Sequence, residues 1–333
     1  MWQPGHMRAI LAPVPGGPEA LTVTEVDRPV PGPGEVLVRV AAAGVNRADL
    51  LQRQGHYPPP PGITDVLGLE VSGRVEQVGA EVTGWQPGQE CLVLLAGGGY
   101  AEYAVAPAGQ LLPLPSGIDL VDAAGLPEVA ATVVSNLDHV HLKPGETFLV
   151  HGGAGGIGSF AIQYAKAYGC TVFTTAGSAE KLAYCRDLGA DHAVDYHDDW
   201  LASVRDATGG AGVDVILDNM GAKYLPANIK ALATDGRQVT IGLQGGVKGE
   251  LNLGLLLSKR GTVTATSLRA RPVEQKAAIC ARVAEVVWPM IAAGRIRPIP
   301  TLRVPFTEPA RAHLRLEAAD HRGKVVLVVD QGD

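Results

Sequence analysis

The run Gly153-Ala154-Gly155-Gly156-Ile157-Gly158 follows the G-x-G-x-x-G spacing that lets a backbone approach a pyrophosphate closely. The apolar run Phe148–Val150 before it has the length of a buried strand, and an amphipathic run headed by Ser159 follows. Glycines between strand and helix permit a tight turn. The helix N-terminus then offers free N–H groups and a partial positive charge to an anion. In this context the motif reads as a dinucleotide site, with Gly153, Gly155, Gly156, Ile157 and Gly158 as its contacts. The plainer alternative is a glycine-rich turn in some other α/β protein.

The residues about 20 positions further on decide which dinucleotide is expected, because an acidic side chain there takes the ribose 2′-hydroxyl of NAD. Here the segment is Thr174-Thr175-Ala176-Gly177-Ser178, without a carboxylate. Ser178 and the nearby Lys181 would attract a 2′-phosphate dianion that a carboxylate would repel. NADP(H) is therefore the expected cofactor, and an ordinary solvated lysine at 181 is the alternative.

These residues need a scaffold, and its outline is visible. The chain has 333 residues, 46% of them hydrophobic, enough for two domains and a large core. A net charge of −6 gives no nucleic-acid footprint. No apolar run approaches the roughly 18 residues of a membrane span, and no long signal-like h-region opens the sequence, so a cytoplasmic protein is expected. Residues 1–6 read as a short extension. The four cysteines show no C-x-x-C spacing, and four reduced, mostly buried thiols are expected.

Residues 7–124 read as short strands between Gly/Pro turns, a β-rich substrate or catalytic domain. The segment Glu35–Ala43 alternates with period two. Residues 125–294 read as strand–helix alternation. Strands are expected at 147–151, 171–175, 192–195, 213–218, 237–242 and 262–267, and helices at about 159–168, 179–188, 198–207, 222–233 and 251–258. That order implies a doubly wound parallel Rossmann sheet. A further helix is expected over 123–139 and a long one over about 273–293. Residues 295–333 return to β-type runs, so the nucleotide domain lies inserted in the other. The β-prone Thr262–Thr266 falls at the expected sheet edge, where a second chain can pair.

From Met7 onward the chain resembles the quinone oxidoreductase branch of the medium-chain dehydrogenase/reductase superfamily. The resemblance rests on Gly44-Val45-Asn46-Arg47-Ala48-Asp49, Gly68-Leu69-Glu70-Val71-Ser72-Gly73 and Gly99-Tyr100-Ala101-Glu102-Tyr103. Leu126-Pro127-Glu128 with Thr132, the glycine loop, and Gly323-Lys324-Val325-Val326 extend it. Leu268-Arg269-Ala270-Arg271 and the run from Asn46 to Tyr57 are similar to one NADPH:quinone oxidoreductase subgroup. It implies a GroES-like β-barrel domain beside the Rossmann domain, and a homodimer.

The alcohol dehydrogenases of that superfamily hold a catalytic zinc with a cysteine in the first motif and a histidine in the second. Those positions are Asn46 and Leu69 here, and leucine supplies no ligand atom. The four-cysteine structural zinc lobe is missing as well. No zinc is expected at either site, although ligands drawn from elsewhere in the chain stay open. His56, His139, His141, His151 and His192 read as surface or packing residues.

Without zinc, a quinone or an α,β-unsaturated carbonyl is a better hydride acceptor than an alcohol is a donor, since its oxygen needs only hydrogen bonds as charge develops. The resemblance makes Asn46 and Tyr57 the catalytic candidates, in a cleft between the domains. Tyr57 either donates to the substrate oxygen or only walls the pocket, held by the stiff Pro58–Pro61 run. Asn46 would position the nicotinamide or the substrate carbonyl. Asp49 and Arg53 read as an i, i+4 ion pair. Further cofactor contacts implied by the resemblance are Thr132, Ser178, Lys181, Tyr196, Asn219, Gly242, Leu243, Ser267 and Leu268. Arg269 and Arg271 read as exposed loop arginines near substrate or phosphate, or near neither. The expected activity is NADPH-dependent quinone reduction. An enone or alkenal reductase and a non-catalytic, crystallin-like NADPH-binding protein are the alternatives.

Overall fold

The computed structural model describes residues 5–330; most of the expected N-terminal extension, residues 1–4, lies outside them. The chain divides into two compact units. One comprises the chain up to Ala131, Leu268–Ala293 and the chain from Pro298 on. The other comprises Thr132–Ser267 and Gly294–Arg297.

The second unit carries a six-stranded, wholly parallel sheet. Its spatial order is His192–Asp195, Thr171–Ala176, Thr147–Val150, Val213–Asp218, Leu232–Thr240 and Thr262–Ala265. In the unit's own strand numbering this is 3-2-1-4-5-6, the doubly wound arrangement with its reversal between strands one and four. Ligands in such sheets bind outside the carboxyl ends of the strands at that reversal. The strands read as near-continuous apolar runs because both faces are covered. Leu149, Phe173, Ile216 and Leu232 are buried there together with Trp200 and Val204.

The helix after the first strand runs Gly156–Tyr168, three residues earlier than expected, because the glycine turn itself forms the first helical turn. Gly169, at φ 94°, ends it in the left-handed conformation that glycine adopts at least cost. The fifth strand begins at Leu232 rather than 237. Asp235 (φ 62°) lies within it, so Asp-Gly reads as a turn in sequence although the strand continues through it. Thr262–Ala265 is an edge strand, as its composition suggests.

The first unit is built on a seven-stranded sheet. Glu35–Val45 is its central strand, pairing with Lys324–Val328, Glu70–Val78 and Tyr103–Pro107. Glu90–Leu94 and Leu111–Pro113 extend the sheet on one side, and Thr301–Pro305 pairs in parallel with Lys324–Val328 on the other. A hairpin of His6–Leu11 and Thr22–Asp27 lies beside it. Its core gathers Ile10, Val38, Val71, Tyr100, Phe306 and Leu327. The helix expected over 123–139 is two pieces, a 3-10 turn Asp122–Gly125 and the helix Pro127–His139. Proline lacks the N–H to continue a helix but suits a first helical position. All four cysteines are buried and unpaired. Among the described residues no helix is long and apolar enough to cross a membrane.

Candidate active site

In the parallel-sheet unit the expected cofactor residues, apart from Thr132 in the helix Pro127–His139, lie at the carboxyl ends of the strands. A side chain on Gly158 would meet the Gly152 oxygen at 2.4 Å, and one on Gly153 would meet Thr174 Oγ1 at 2.2 Å. Gly158 is required by packing of the loop on itself, and Gly153 by its packing against the strand Thr171–Ala176. Gly155 is different: its φ of −79° is ordinary, and an added Cβ would meet nothing closer than 3.6 Å. The space beside this helix N-cap is open, as a bound pyrophosphate requires. Asn219 closes the strand reversal, donating from Nδ2 to the His151 oxygen at 3.2 Å. Its Oδ1 is buried without a protein partner, an acceptor left for a ligand donor. Both observations fit a dinucleotide.

The second strand leads into Gly177 and Ser178. Ser178 caps the helix Ala179–Asp187, its Oγ accepting the Lys181 N–H at 3.3 Å while its own O–H stays able to donate. A Cβ on Gly177 would meet Tyr196 Oη at 2.2 Å, so Tyr196, 43% exposed, lies across the same turn. Gly177, Ser178, Lys181 and Tyr196 therefore form one corner. Gly242 packs on Asn219, its Cβ direction 2.8 Å from the Asn219 oxygen, and Leu243 follows, largely exposed. Thr132 is buried; its backbone oxygen accepts Asn136 Nδ2 at 2.8 Å, and Asn136 Oδ1 accepts the Thr266 hydroxyl at 2.5 Å. That chain of bonds ties Thr132 to the segment ending in Ser267. Leu268 begins the next stretch of the first unit, half-buried.

Asp218, next to Asn219, was not singled out by sequence. Its carboxylate accepts the N–H groups of Met220 and Gly221 at 2.9 and 3.0 Å and so folds the loop that carries Asn219. Burial raises its pKa, against those N–H groups. His151 is a packing residue, as its sequence context suggests. It lies between Thr175 and Asn228 and edge-on to Trp200 and Tyr224, with its pKa lowered by burial to about 4.

In the strand-rich unit Asn46 caps the helix Arg47–Arg53, and its own N–H is taken by Asp49 Oδ2 at 2.7 Å. The expected Asp49–Arg53 ion pair is not what forms. The Asp49 carboxylate, 1% exposed, is occupied by Asn46 and by the Tyr100 hydroxyl at 3.1 Å. Arg53 instead reaches Glu317 at 2.6 Å and the Gly16 oxygen at 3.1 Å. Burial lifts the Asp49 carboxyl to about 6.

Arg269 is likewise not an exposed loop arginine. It is 5% exposed, and donates to Ala96 O at 2.7 Å, Tyr57 O at 3.1 Å and Gln52 Oε1 at 2.6 Å. Its guanidinium carbon lies 5.1 Å from the centre of the Tyr57 ring. Tyr57 is thus held by a buried arginine. Leu69 is buried, with no ligand atom in its side chain. Among the described residues no group of three or more His, Cys, Asp or Glu could hold a metal ion.

Comparison with known proteins places this architecture. Residues 32–116 match the alcohol dehydrogenase GroES-like domain and residues 156–282 the zinc-binding dehydrogenase family. A quinone oxidoreductase of Pseudomonas aeruginosa is 34% identical over 316 residues, 94% of this chain and 97% of its own length. The chain belongs to the quinone oxidoreductase family of the medium-chain dehydrogenases/reductases. The structure of the Escherichia coli quinone oxidoreductase complexed with NADPH superposes with a TM-score of 0.85 at 29% identity, covering 97% of this chain and 99% of that one. The CurK enoyl reductase superposes with 0.86 at 28% identity, again over 97% and 99%. The fold is therefore the family's, a Rossmann sheet with a GroES-like strand domain, and the chain is an oxidoreductase whose glycine loop suits a nicotinamide cofactor.

Proposed function

We propose that this oxidoreductase uses NADPH to reduce quinones by hydride transfer, without zinc. The observation that carries the reading is the corner of Gly177, Ser178, Lys181 and Tyr196. Ser178 and Lys181 stand in the cap and first turn of its helix, a hydroxyl and a basic residue in the segment where an NAD site has a carboxylate. In this reading the loop from Gly153 to Gly158 holds the pyrophosphate with its N–H groups. Ser178 and Lys181 hold the 2′-phosphate, Tyr196 covers the adenosine end, and Asn219, Gly242 and Leu243 line the nicotinamide half. Thr132, Ser267 and Leu268 are further proposed contacts. When bound, the reduced nicotinamide supplies the hydride.

The chain's own task is then to meet negative charge on the substrate oxygen. A carbonyl flanked by zinc would need none of this, but Leu69 offers no ligand atom, and the oxygen of Asn46 accepts from Lys324 at 2.6 Å. Hydrogen-bond donors do the work instead: the amide N–H of Asn46 and the hydroxyl of Tyr57, the latter kept in place by Arg269. Quinone and enone oxygens suit such donors because they gain charge without a metal. We further propose a homodimer paired through the edge strand Thr262–Ala265.

The likeness to an enoyl reductase favours a second reading, reduction of a polarised carbon–carbon double bond on the same scaffold. A panel of quinones and enones, followed by loss of NADPH absorbance, separates the two. Higher kcat/KM for quinones supports the first reading. Higher values for enones support the second, and binding of NADPH without turnover of either would leave a non-catalytic binding protein.

A further inference from the structure

The strand-rich unit buries a complete ion pair beneath Asn46. Lys324 Nζ lies 2.7 Å from Glu70 Oε1, with the lysine 4% exposed and the glutamate 0%. An ammonium has three donors, and three acceptors meet this one: Glu70 Oε1, Asn46 Oδ1 at 2.6 Å and the Val45 oxygen at 3.3 Å. Glu70 is equally committed. Its Oε1 also accepts Asn46 Nδ2 at 2.9 Å, and its Oε2 accepts the Glu128 backbone N–H at 2.8 Å. The latter lies in the first turn of the helix Pro127–His139, the end that favours a negative charge.

The amide of Asn46 has one orientation open to it. An ammonium only donates and a carboxylate only accepts, so the oxygen must face Lys324 and the nitrogen Glu70. Flipping it would set N–H against ammonium and oxygen against carboxylate. Stability alone gives little reason for such a pair, since an apolar replacement of a buried ion pair is often neutral or better.

We propose that Lys324 is a positioning and polarising residue for Asn46. Bonded to the amide oxygen, its ammonium draws electron density from the amide nitrogen. The Nδ2–H that Glu70 does not take becomes a stronger donor toward a substrate oxygen gaining negative charge. A fixed cation thus acts on the reacting oxygen through a single amide, without touching it. The proposal rests on the reading that Asn46 meets the substrate oxygen.

Two variants and three readouts test it. Lys324→Met removes the ammonium and leaves Glu70 unpaired; Lys324→Met with Glu70→Gln removes both charges. Steady-state kinetics and melting temperature are measured on each. The side-chain amide resonances of Asn46, assigned by their loss in Asn46→Asp, are followed in protein carrying 15N-asparagine. The single variant is expected to melt lower. The double variant should regain most of that melting temperature while kcat stays about tenfold below wild type, with KM for NADPH unchanged. The Asn46 amide protons should move upfield in both variants. Recovery of kcat together with melting temperature in the double variant would overturn the proposal, as would Asn46 resonances that ignore the loss of the ammonium. If the wild-type enzyme turned over neither quinone nor enone, the broader functional reading would fail. The resonances would still decide whether Lys324 polarises the amide.

Discussion

The candidate cofactor region and the candidate substrate region, one in each unit, are built in opposite ways. The cofactor region in the parallel-sheet unit is made of backbone. It has a loop folded on Gly153 and Gly158, an open N-cap at Gly155 and a half-exposed Tyr196 over Gly177. The candidate substrate region in the strand-rich unit is made of bonded side chains: Asn46, Glu70 and Lys324 with one another, Asp49 with Asn46 and Tyr100, and Arg269 with Gln52 and the Tyr57 and Ala96 oxygens. The first can lose a contact and keep its fold. The second cannot, because each member leaves a charge or dipole unpaired when a partner goes.

Two substitutions sharpen that contrast most. Glu70→Ala strands the buried ammonium of Lys324 and should cost about 3–5 kcal/mol in urea unfolding. Gly155→Ala, at an allowed φ and with open space for its Cβ, should cost under about 1 kcal/mol yet weaken NADPH binding measured by calorimetry. Similar stability losses in both variants would break the comparison.

The next effect is the pH dependence that Asp49 gives the strand-rich unit. The folded pKa of Asp49, raised by burial from 3.8 to about 6, lies above its unfolded value. Its contribution is therefore most favourable below pH 4 and is lost as pH rises to about 6. At 1.36 kcal/mol per unit this is on the order of 3 kcal/mol. The stability difference between wild type and Asp49→Asn should fall across that window and be flat above it. A difference independent of pH would remove Asp49 from the buried network.

In the cofactor region the losses concern binding. Lys181→Ala should raise KM for NADPH about tenfold, roughly the worth of one charge-assisted contact, and leave KM for NADH unchanged. Equal changes for both cofactors would contradict the 2′-phosphate assignment. Smaller still, Arg269→Lys keeps the charge but loses the fork that spans Ala96, Tyr57 and Gln52. A few-fold drop in kcat is expected, with melting temperature lowered by only a few degrees. Unchanged kcat would mean that Tyr57 does not need this clamp.

The same difference in construction explains what the sequence discloses. The parallel sheet is legible because each strand is an apolar run, and its loops carry their chemistry locally, as in Gly153–Gly158 and Ser178–Lys181. Strand–helix alternation gives the doubly wound class, but the 3-2-1-4-5-6 order is a tertiary choice, since right-handed crossovers also allow 2-1-3-4-5. The fifth strand is misjudged where Asp235 enters the left-handed region and imitates a turn. The candidate substrate region is nearly invisible because its bonds join residues far apart. Lys324 reaches Asn46 across 278 positions and Arg269 reaches Tyr57 across 212. Local spacing points instead to an Asp49–Arg53 helix pair that the tertiary partners Tyr100 and Glu317 displace. The motifs around Glu70, Arg269 and Lys324 were visible as resemblance, but nothing in their spacing shows that Glu70 and Lys324 meet at Asn46.

We propose that a phosphorylated nicotinamide reduces its acceptor here with side-chain donors in place of a metal. The most direct test is kcat/KM for NADPH-dependent quinone reduction before and after exhaustive treatment with a strong zinc chelator, on protein whose metal content is measured in parallel. The same value is expected in both samples, with far less than one zinc per chain. Activity that disappears with the metal and returns when zinc is restored would contradict it.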